Sequence, residues 1–481
     1  MIQPDTDNLN RLILSLLKQR GSRTASEQIL NQIYNELLTF PHAEIGIDLS
    51  HRLITTLYTK FAKQWETYWA YRELSRMAVL LSRLTSTKEQ NIKFEQKKYY
   101  PKGRKTLFII DTDFWLGHLQ VLCSFLEIAS REERDKIEVI AFNGRQDSVL
   151  DKKLEKLSVK YSLIQNPKVS DKLKLLGSYV ERISKKGFET KLIWTAWPPL
   201  MFIGSLFRIA DHQVCWAMKY PAPMGHQCDA IYYPYGFDEK TTGSTYMHDS
   251  SIKIITHPFY LTKDALSTNE EAEQAKQKTL KTSSKLRALK DEGKLIIACI
   301  ARPEKMNNQR FIDRLKDLLS SNKNASFVWC GREGADSSKI FQKNLEIHAI
   351  SDRCTFLGWV NPWDTLKDID YFLDTHPFGS GITLAQALRL HKKVILHRGK
   401  PITQDLQLED SITIEPNFSA VIRSQKAIKL GYFIELNPED KNSHFLGLAI
   451  QKHCDDTKYD EFDIFAPSQA IHSKISQLLL S

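Results

Sequence analysis

Lys305 lies just past the apolar run LIIACI (295–300), in the loop Arg302-Pro303-Glu304-Lys305-Met306-Asn307 that precedes a helix-forming stretch. A lysine at a strand's carboxyl edge is either an exposed surface group or a mobile point charge for a diphosphate. A second stretch, FLDTHPFGSGITLAQAL (372–388), runs from an apolar segment through Pro377-Phe378-Gly379-Ser380-Gly381 into a helix opening on Ile382-Thr383. A helix start presents unpaired backbone N–H groups to an anion. Its two glycines allow close backbone approach, and Ser380 and Thr383 add hydroxyl donors. The loop Gly358-Trp359-Val360-Asn361-Pro362-Trp363 also follows an apolar run. It is either a plain strand-to-helix turn or a surface that reads a base by backbone contacts and stacking.

A further group follows FII (108–110): Asp111, Asp113 and His118. The Asp-Thr-Asp triplet admits a Mg²⁺-type reading beside a diphosphate. It equally fits a plain strand end, and no metal is required where a lysine and a helix start already face the phosphates. His118, at a helix start after Gly117, either accepts a proton from an attacking group or only hydrogen-bonds.

The elements that carry these residues follow from periodicity. Residues 6–85 place apolar side chains at i, i+3, i+4 and i+7, which predicts helices. A lysine-rich linker, 86–105, follows. From 106 onward short apolar runs alternate with amphipathic stretches, the signature of parallel sheets with crossover helices. The first series predicts strands near 106–114, 136–144, 160–164 and 190–197. A polar, partly helical linker over 262–291 separates it from a second series with strands near 293–303, 325–331, 353–359, 370–374 and 393–398. An amphipathic helix is expected over 468–480. The expected domains are a helical 1–98, a Rossmann-like 99–262 on the acceptor side, and a Rossmann-like 263–481 that binds the nucleotide-sugar and includes the C-terminal helix. Ligands of doubly wound sheets sit at strand carboxyl ends, so two such domains make a cleft.

The 481 residues are 42% hydrophobic and 10% aromatic, which excludes a wholly disordered chain. A net charge of +10 suits anionic partners or a merely basic soluble protein. Seven cysteines are scattered without a CxxC pair, which argues against structural zinc and for reduced thiols in a cytoplasmic protein. Residues 1–20 carry no signal-type apolar core, and WTAWPPLMFIGSLF (194–207) is too short and proline-broken to span a bilayer.

Taken together, these segments resemble the GT-B glycosyltransferases, and among them the O-GlcNAc transferases and the bacterial adhesin-modifying N-glucosyltransferases. DFWLGHLQ (113–120), HQVCWAMKYPAPMGHQCDAIYYP (212–234), PEKMNN (303–308), LGWVNPWD (357–364) and DTHPFGSGITLAQALRLHKKVIL (374–396) match family segments in order. The resemblance covers roughly 106–400. It implies an α/β fold of GT-B type: two Rossmann-like domains facing a cleft, with an all-helical N-terminal domain. It implies a UDP-sugar donor, no cofactor, and an acceptor side chain of Asn or Ser/Thr. Lys305, Arg302, Asn361, the loop Pro377–Gly381, Ile382, Thr383 and Gln386 then hold the donor. His118 or Asp113 serves the acceptor, and Tyr220, Pro221 and Gly225 form a sugar or acceptor loop.

Lys219 stands where the family has the glycine of its Gly-Tyr-Pro or Gly-His-Pro, and Gln386 or Ala387 stands near its ribose-binding aspartate. The pattern of retaining GT-B enzymes, two glutamates flanking a Gly-Phe-Gly helix start, is missing, and His376 and Gln386 stand nearby instead, which favours inversion. A surface glycan or lipid-linked acceptor and an inactive partner subunit are the alternatives. Nucleic acid is not an expected partner, and peripheral membrane contact stays open.

Overall fold

The computed structural model describes residues 6–19, 23–39, 45–62, most of 73–84, 100–111, 117–216 apart from 145, 147, 167, 196 and 197, 227–233, 253–257, 262, 282–375 apart from 332, 333 and 359, 382–397 apart from 391, 433–436 and 469–481. Three helices open the chain: α1 (Thr6–Lys18), α2 (Arg23–Thr39) and α3 (Ile47–Ala62). The first α/β series follows: β1 (Arg104–Ile110), α4 (Gly117–Ile128), α5 (Arg131–Asp135), β2 (Ile137–Phe142), α6 (Val149–Lys156), β3 (Lys160–Ile164), α7 (Val169–Lys185), β4 (Glu189–Trp194), α8 (Pro198–Gly204), β5 (His212–Trp216), β6 (Ala230–Tyr233) and β7 (Lys253–Thr256). A helix over 282–291, α9, leads into the second series. This comprises β8 (Leu295–Cys299), α10 (Gln309–Ser321), β9 (Ala325–Trp329), α11 (Asp336–Ile347), β10 (Cys354–Phe356), α12 (Pro362–Lys367), β11 (Tyr371–Leu373), α13 (Ile382–Arg389), β12 (Lys393–His397) and β13 (Phe433–Leu436), and α14 (Gln469–Leu480) comes last.

Both sheets are parallel, ordered β3-β2-β1-β4-β5-β6-β7 and β10-β9-β8-β11-β12-β13. The strands are short runs of aliphatic and aromatic residues because helices cover both faces. Alternation sends Leu107 and Ile109 of β1 to one face, where they join Leu53 and Leu57 of α3 and Leu173 of α7. Phe108 and Ile110 face the other way, with Leu122 and Phe125 of α4 and Ile475 and Leu479 of α14. In the second sheet Ile297 and Phe327 pack on Phe311 and Leu315 of α10 and Phe341 of α11.

In each sheet the chain lays two strands to one side of the first strand and then crosses to the other. The crossing points fall between β1 and β4 and between β8 and β11. These are the crevices where doubly wound sheets bind ligands.

Hydrogen bonds tie the helical layer to the first sheet. α7 has no side-chain cap from its own preceding residue, Lys168. Asp48 of α3 supplies one, accepting from the Val169 and Ser170 backbone N–H groups at 2.8 and 3.1 Å and from Ser170 Oγ at 2.7 Å. The carboxylate of Asp48 is accordingly lowered by the Ser170 and Val169 hydrogen bonds, which outweigh its burial.

The sequence pattern places α14 after the second series, but the helix packs back on the first sheet. Lys191 Nζ of β4 donates to the Leu478 and Ser481 carbonyls at 2.7 and 3.1 Å. Glu133 of α5 accepts from Ser476 Oγ and pairs with His472 Nε2 at 3.1 Å.

Two edge strands, β7 and β13, add to the strands expected from periodicity, and β10 is confined to Cys354–Phe356. The polar stretch expected as a linker ends in α9, whose Leu286 is fully buried. Among the described residues no helix is long and apolar enough to cross a membrane. The six described cysteines are free thiols, five of them buried.

Candidate active site

The second crevice lies between the carboxyl ends of β8 and β11. After β8 the chain makes a short 3₁₀ turn, Pro303–Lys305, closed by bonds from Lys305 N to Arg302 O and Met306 N to Pro303 O. Met306 is fully buried beneath the turn. Asn308 then caps α10, accepting from Phe311 N at 2.9 Å. Gly331, at the end of β9, admits this loop: a Cβ there would come within 2.6 Å of Pro303 Cγ. Lys305 is thus fixed at the strand end by local geometry.

Burial, then the neighbouring Arg302 charge, lowers the Lys305 ammonium to about 8, while Asp374 and Cys299 pull in the opposite direction. Asp374 follows β11 and is 2% exposed. Two cations and one buried carboxylate therefore meet at this crevice, with the start of α13 following the same strand. This is a suitable seat for a diphosphate: Lys305 and Arg302 supply charge, and α13 supplies a helix N-terminus.

The other expected donor residues are placed as follows. Thr383 is half-buried in the first turn of α13, and the Ile382 backbone opens that helix. Gln386 is 2% exposed, and its Nε2 lies 3.5 Å from Gln120 Oε1 of α4. The contact is long for a hydrogen bond. It shows that the opening turns of α4 and α13 meet across the cleft, which brings the backbone of His118 opposite the donor helix. The His118 side chain itself is outside the described part of the structure.

Asn361 is the N-cap of α12, its Oδ1 accepting from Trp363 N at 3.0 Å. It follows β10, at the sheet edge with β9 between it and β8. Of the three loops, two therefore follow the adjacent strands β8 and β11, and the third lies two strand spacings from β8, about 10 Å. Pro377, Phe378, Gly379, Ser380 and Gly381 lie outside the described residues, as do Asp113, Tyr220, Pro221 and Gly225.

Apart from Asp111, which the Asp-Thr-Asp triplet already marks, the groups around the end of β1 carry no sequence signal that could have found them. At the carboxyl end of β1, burial raises the Asp111 carboxyl to about 6, opposed by the charge of Lys172 from α7. Lys172 is 5% exposed, donates to Asn143 Oδ1 at 2.6 Å, and has its own ammonium lowered by burial. Asn143, just after β2, adopts the left-handed conformation with φ 58°, which asparagine tolerates better than most non-glycine residues.

His51 of α3 is held near 4 by burial and by Lys172, so it is neutral at pH 7. Tyr58, two turns farther along α3, is buried and lies within reach of the Arg302 charge. These residues come from distant parts of the chain, and no motif links them.

Two parallel Rossmann-like sheets with their switch-point crevices, a helical layer and a C-terminal helix that returns to the first sheet constitute the GT-B fold. Solved structures of that fold are similar to this chain. A lysine-to-methionine mutant of the Thermobaculum terrenum O-GlcNAc transferase aligns over 100% of this chain and 98% of its own, with a TM-score of 0.50 and 14% identity. Anabaena HepE in complex with UDP and glucose aligns over 78% of this chain and 99% of its own, at a TM-score of 0.44 and 11% identity. A Rickettsia africae glycosyltransferase aligns over 79% and 99%, at 0.43 and 11%. No protein-family model matches the chain, and no curated protein matches it by sequence.

Proposed function

We propose that this chain is an inverting glycosyltransferase that moves a hexose or N-acetylhexosamine from a UDP-sugar to an Asn, Ser or Thr side chain of a protein, without a divalent metal. The observation that carries the reading is the cation pair Lys305 and Arg302, with Asp374, at the β8–β11 crevice beside the start of α13. The fold of the O-GlcNAc transferase from Thermobaculum terrenum supports the same reading.

In this reading the acceptor's lone pair forms a bond to the anomeric carbon from the face opposite UDP. The bond from that carbon to the β-phosphate oxygen breaks, and its electron pair stays on UDP. Charge develops on that oxygen, where Lys305 and the opening N–H groups of α13 stabilise it. The acceptor's proton leaves to a base on the first-sheet side of the cleft, and His118 and Asp113 are the candidates in the segment after β1.

Inversion rests on the absence of the paired glutamates of retaining enzymes near α13. Metal independence rests on Lys305, Arg302 and the helix start supplying the charge. The role of the altered residue at Gln386 is to hydrogen-bond the ribose hydroxyls as an amide. The test is turnover of UDP-glucose and UDP-GlcNAc in the presence of EDTA, with mass spectrometry of co-expressed proteins. A hexose or N-acetylhexosamine mass on Asn, Ser or Thr supports the reading. Dependence on an added divalent metal contradicts its metal-free form.

A further inference from the structure

The first sheet's own crevice carries a polar cluster that the donor site does not use. Asp111 leaves β1 at the carboxyl edge. By alternation with Leu107 and Ile109 it faces the helical layer, the side on which Lys172 of α7 lies. Lys172 is held from behind by Asn143 Oδ1 at 2.6 Å and lies 6.0 Å from the centre of the Phe142 ring. The charges facing Asp111 are thus Lys172 from α7 and, behind it, His51 and Asp48 from α3. Asp48 is committed to the start of α7, and His51 is neutral at pH 7.

Burying a carboxylate and an ammonium this near each other costs folding energy, and well-packed apolar residues would often serve stability as well or better. The cluster's position at a strand's carboxyl end beside the switch point gives it a functional location. The opening turn of α4, which follows the same strand, meets α13 at Gln120 and Gln386.

We propose that Asp111 receives the acceptor's proton and that Lys172 positions it. The proposal rests on the sugar-transfer reading above and narrows the base to a residue other than His118 and Asp113. In the step, the acceptor O–H or N–H bond breaks and its proton goes to an Asp111 carboxylate oxygen. The freed pair bonds the anomeric carbon, and UDP leaves with the pair of the broken glycosyl bond. Lys172 is already engaged by Asn143, so the cluster suits a neutral hydroxyl or amide acceptor and not a phosphorylated one.

The test uses the full-length chain, with water as acceptor and UDP release from UDP-glucose and UDP-GlcNAc as readout. Asp111→Asn is expected to lower release by about 10²–10⁴-fold while UDP affinity, measured by calorimetry, stays within about twofold of wild type. Asp111→Asn/Lys172→Met serves if the single variant does not fold. The acid limb of the wild-type rate is expected near pH 6, and Lys172→Met should move it up by about one pH unit, because a cation that favoured the carboxylate is gone.

Wild-type release rates in Asp111→Asn overturn the proposal. So does an acid limb that stays in place in Lys172→Met, or a wild-type chain that binds UDP yet releases none from the sugar nucleotides. A wild-type chain that binds no UDP sinks the donor reading, and this proposal with it.

Discussion

Replacing Lys305 by Met should separate activity from stability. Folding lowers the Lys305 ammonium from its usual 10.5 to about 8. That difference corresponds to about 3 kcal/mol by which the fold disfavours the charge. Because the folded value is depressed, this cost is fully present below pH 8. It declines as pH rises from 8 to 10.5, where the unfolded chain also loses its proton.

Methionine keeps most of the aliphatic stem and removes the charge. Lys305→Met should therefore melt no lower than wild type at pH 7, and any advantage should shrink toward pH 10.5. Turnover should fall by about 10²–10³, the typical loss for one preorganised donor at a developing anion. Differential scanning calorimetry at pH 7 and 10, with UDP release in parallel, measures both. A lower melting temperature with unchanged UDP release would refute the reasoning, since Lys305 would then be a structural cation.

Other substitutions probe the surrounding elements. Gln386→Ala should weaken UDP binding by about tenfold, the equivalent of one buried hydrogen bond, as read by calorimetry. Asp48→Ala removes the cap of α7 and should cost about 1–2 kcal/mol in chemical denaturation. The Asp48 contribution is present above its unfolded value of 3.8 and is lost as pH falls through its lower folded value, so wild type and variant should converge in acid. Glu133 is held at about 2 by hydrogen bonds from Ser476, Ser130 and His472 that outweigh its burial. Docking of α14 should therefore weaken as pH drops from about 4.5 toward 2, seen as faster amide exchange over 469–481.

Much of the fold can be read from local pattern. β1, β2, β8 and β9 are short aliphatic runs flanked by amphipathic stretches, and their parallel pairing follows from that alternation. The donor crevice is legible for the same reason: Lys305 follows β8 by six residues and Ile382 follows β11 by nine, so their relation to a strand end is local. β7 and β13 are less so, because a four-residue edge strand such as KIIT carries too little period to stand out. The return of α14 to the first sheet depends on Lys191 and Glu133, which lie hundreds of residues earlier. Likewise Asp48, His51, Lys172 and Asp111 acquire their relation only when α3 and α7 pack together. The strand order β10-β9-β8-β11 is also non-local, and it moves Asn361 to the sheet edge although its loop reads like the others.

The most direct measurement is a calorimetric titration of UDP into the full-length chain in EDTA, at pH 7 and pH 9. The site described here predicts one UDP per chain without added metal. It also predicts weaker binding at pH 9 than at pH 7, because the Lys305 ammonium, near 8 in the free chain, must be protonated to hold the diphosphate. No binding at millimolar UDP, or binding that is equally tight at both pH values and in Lys305→Met, would contradict it.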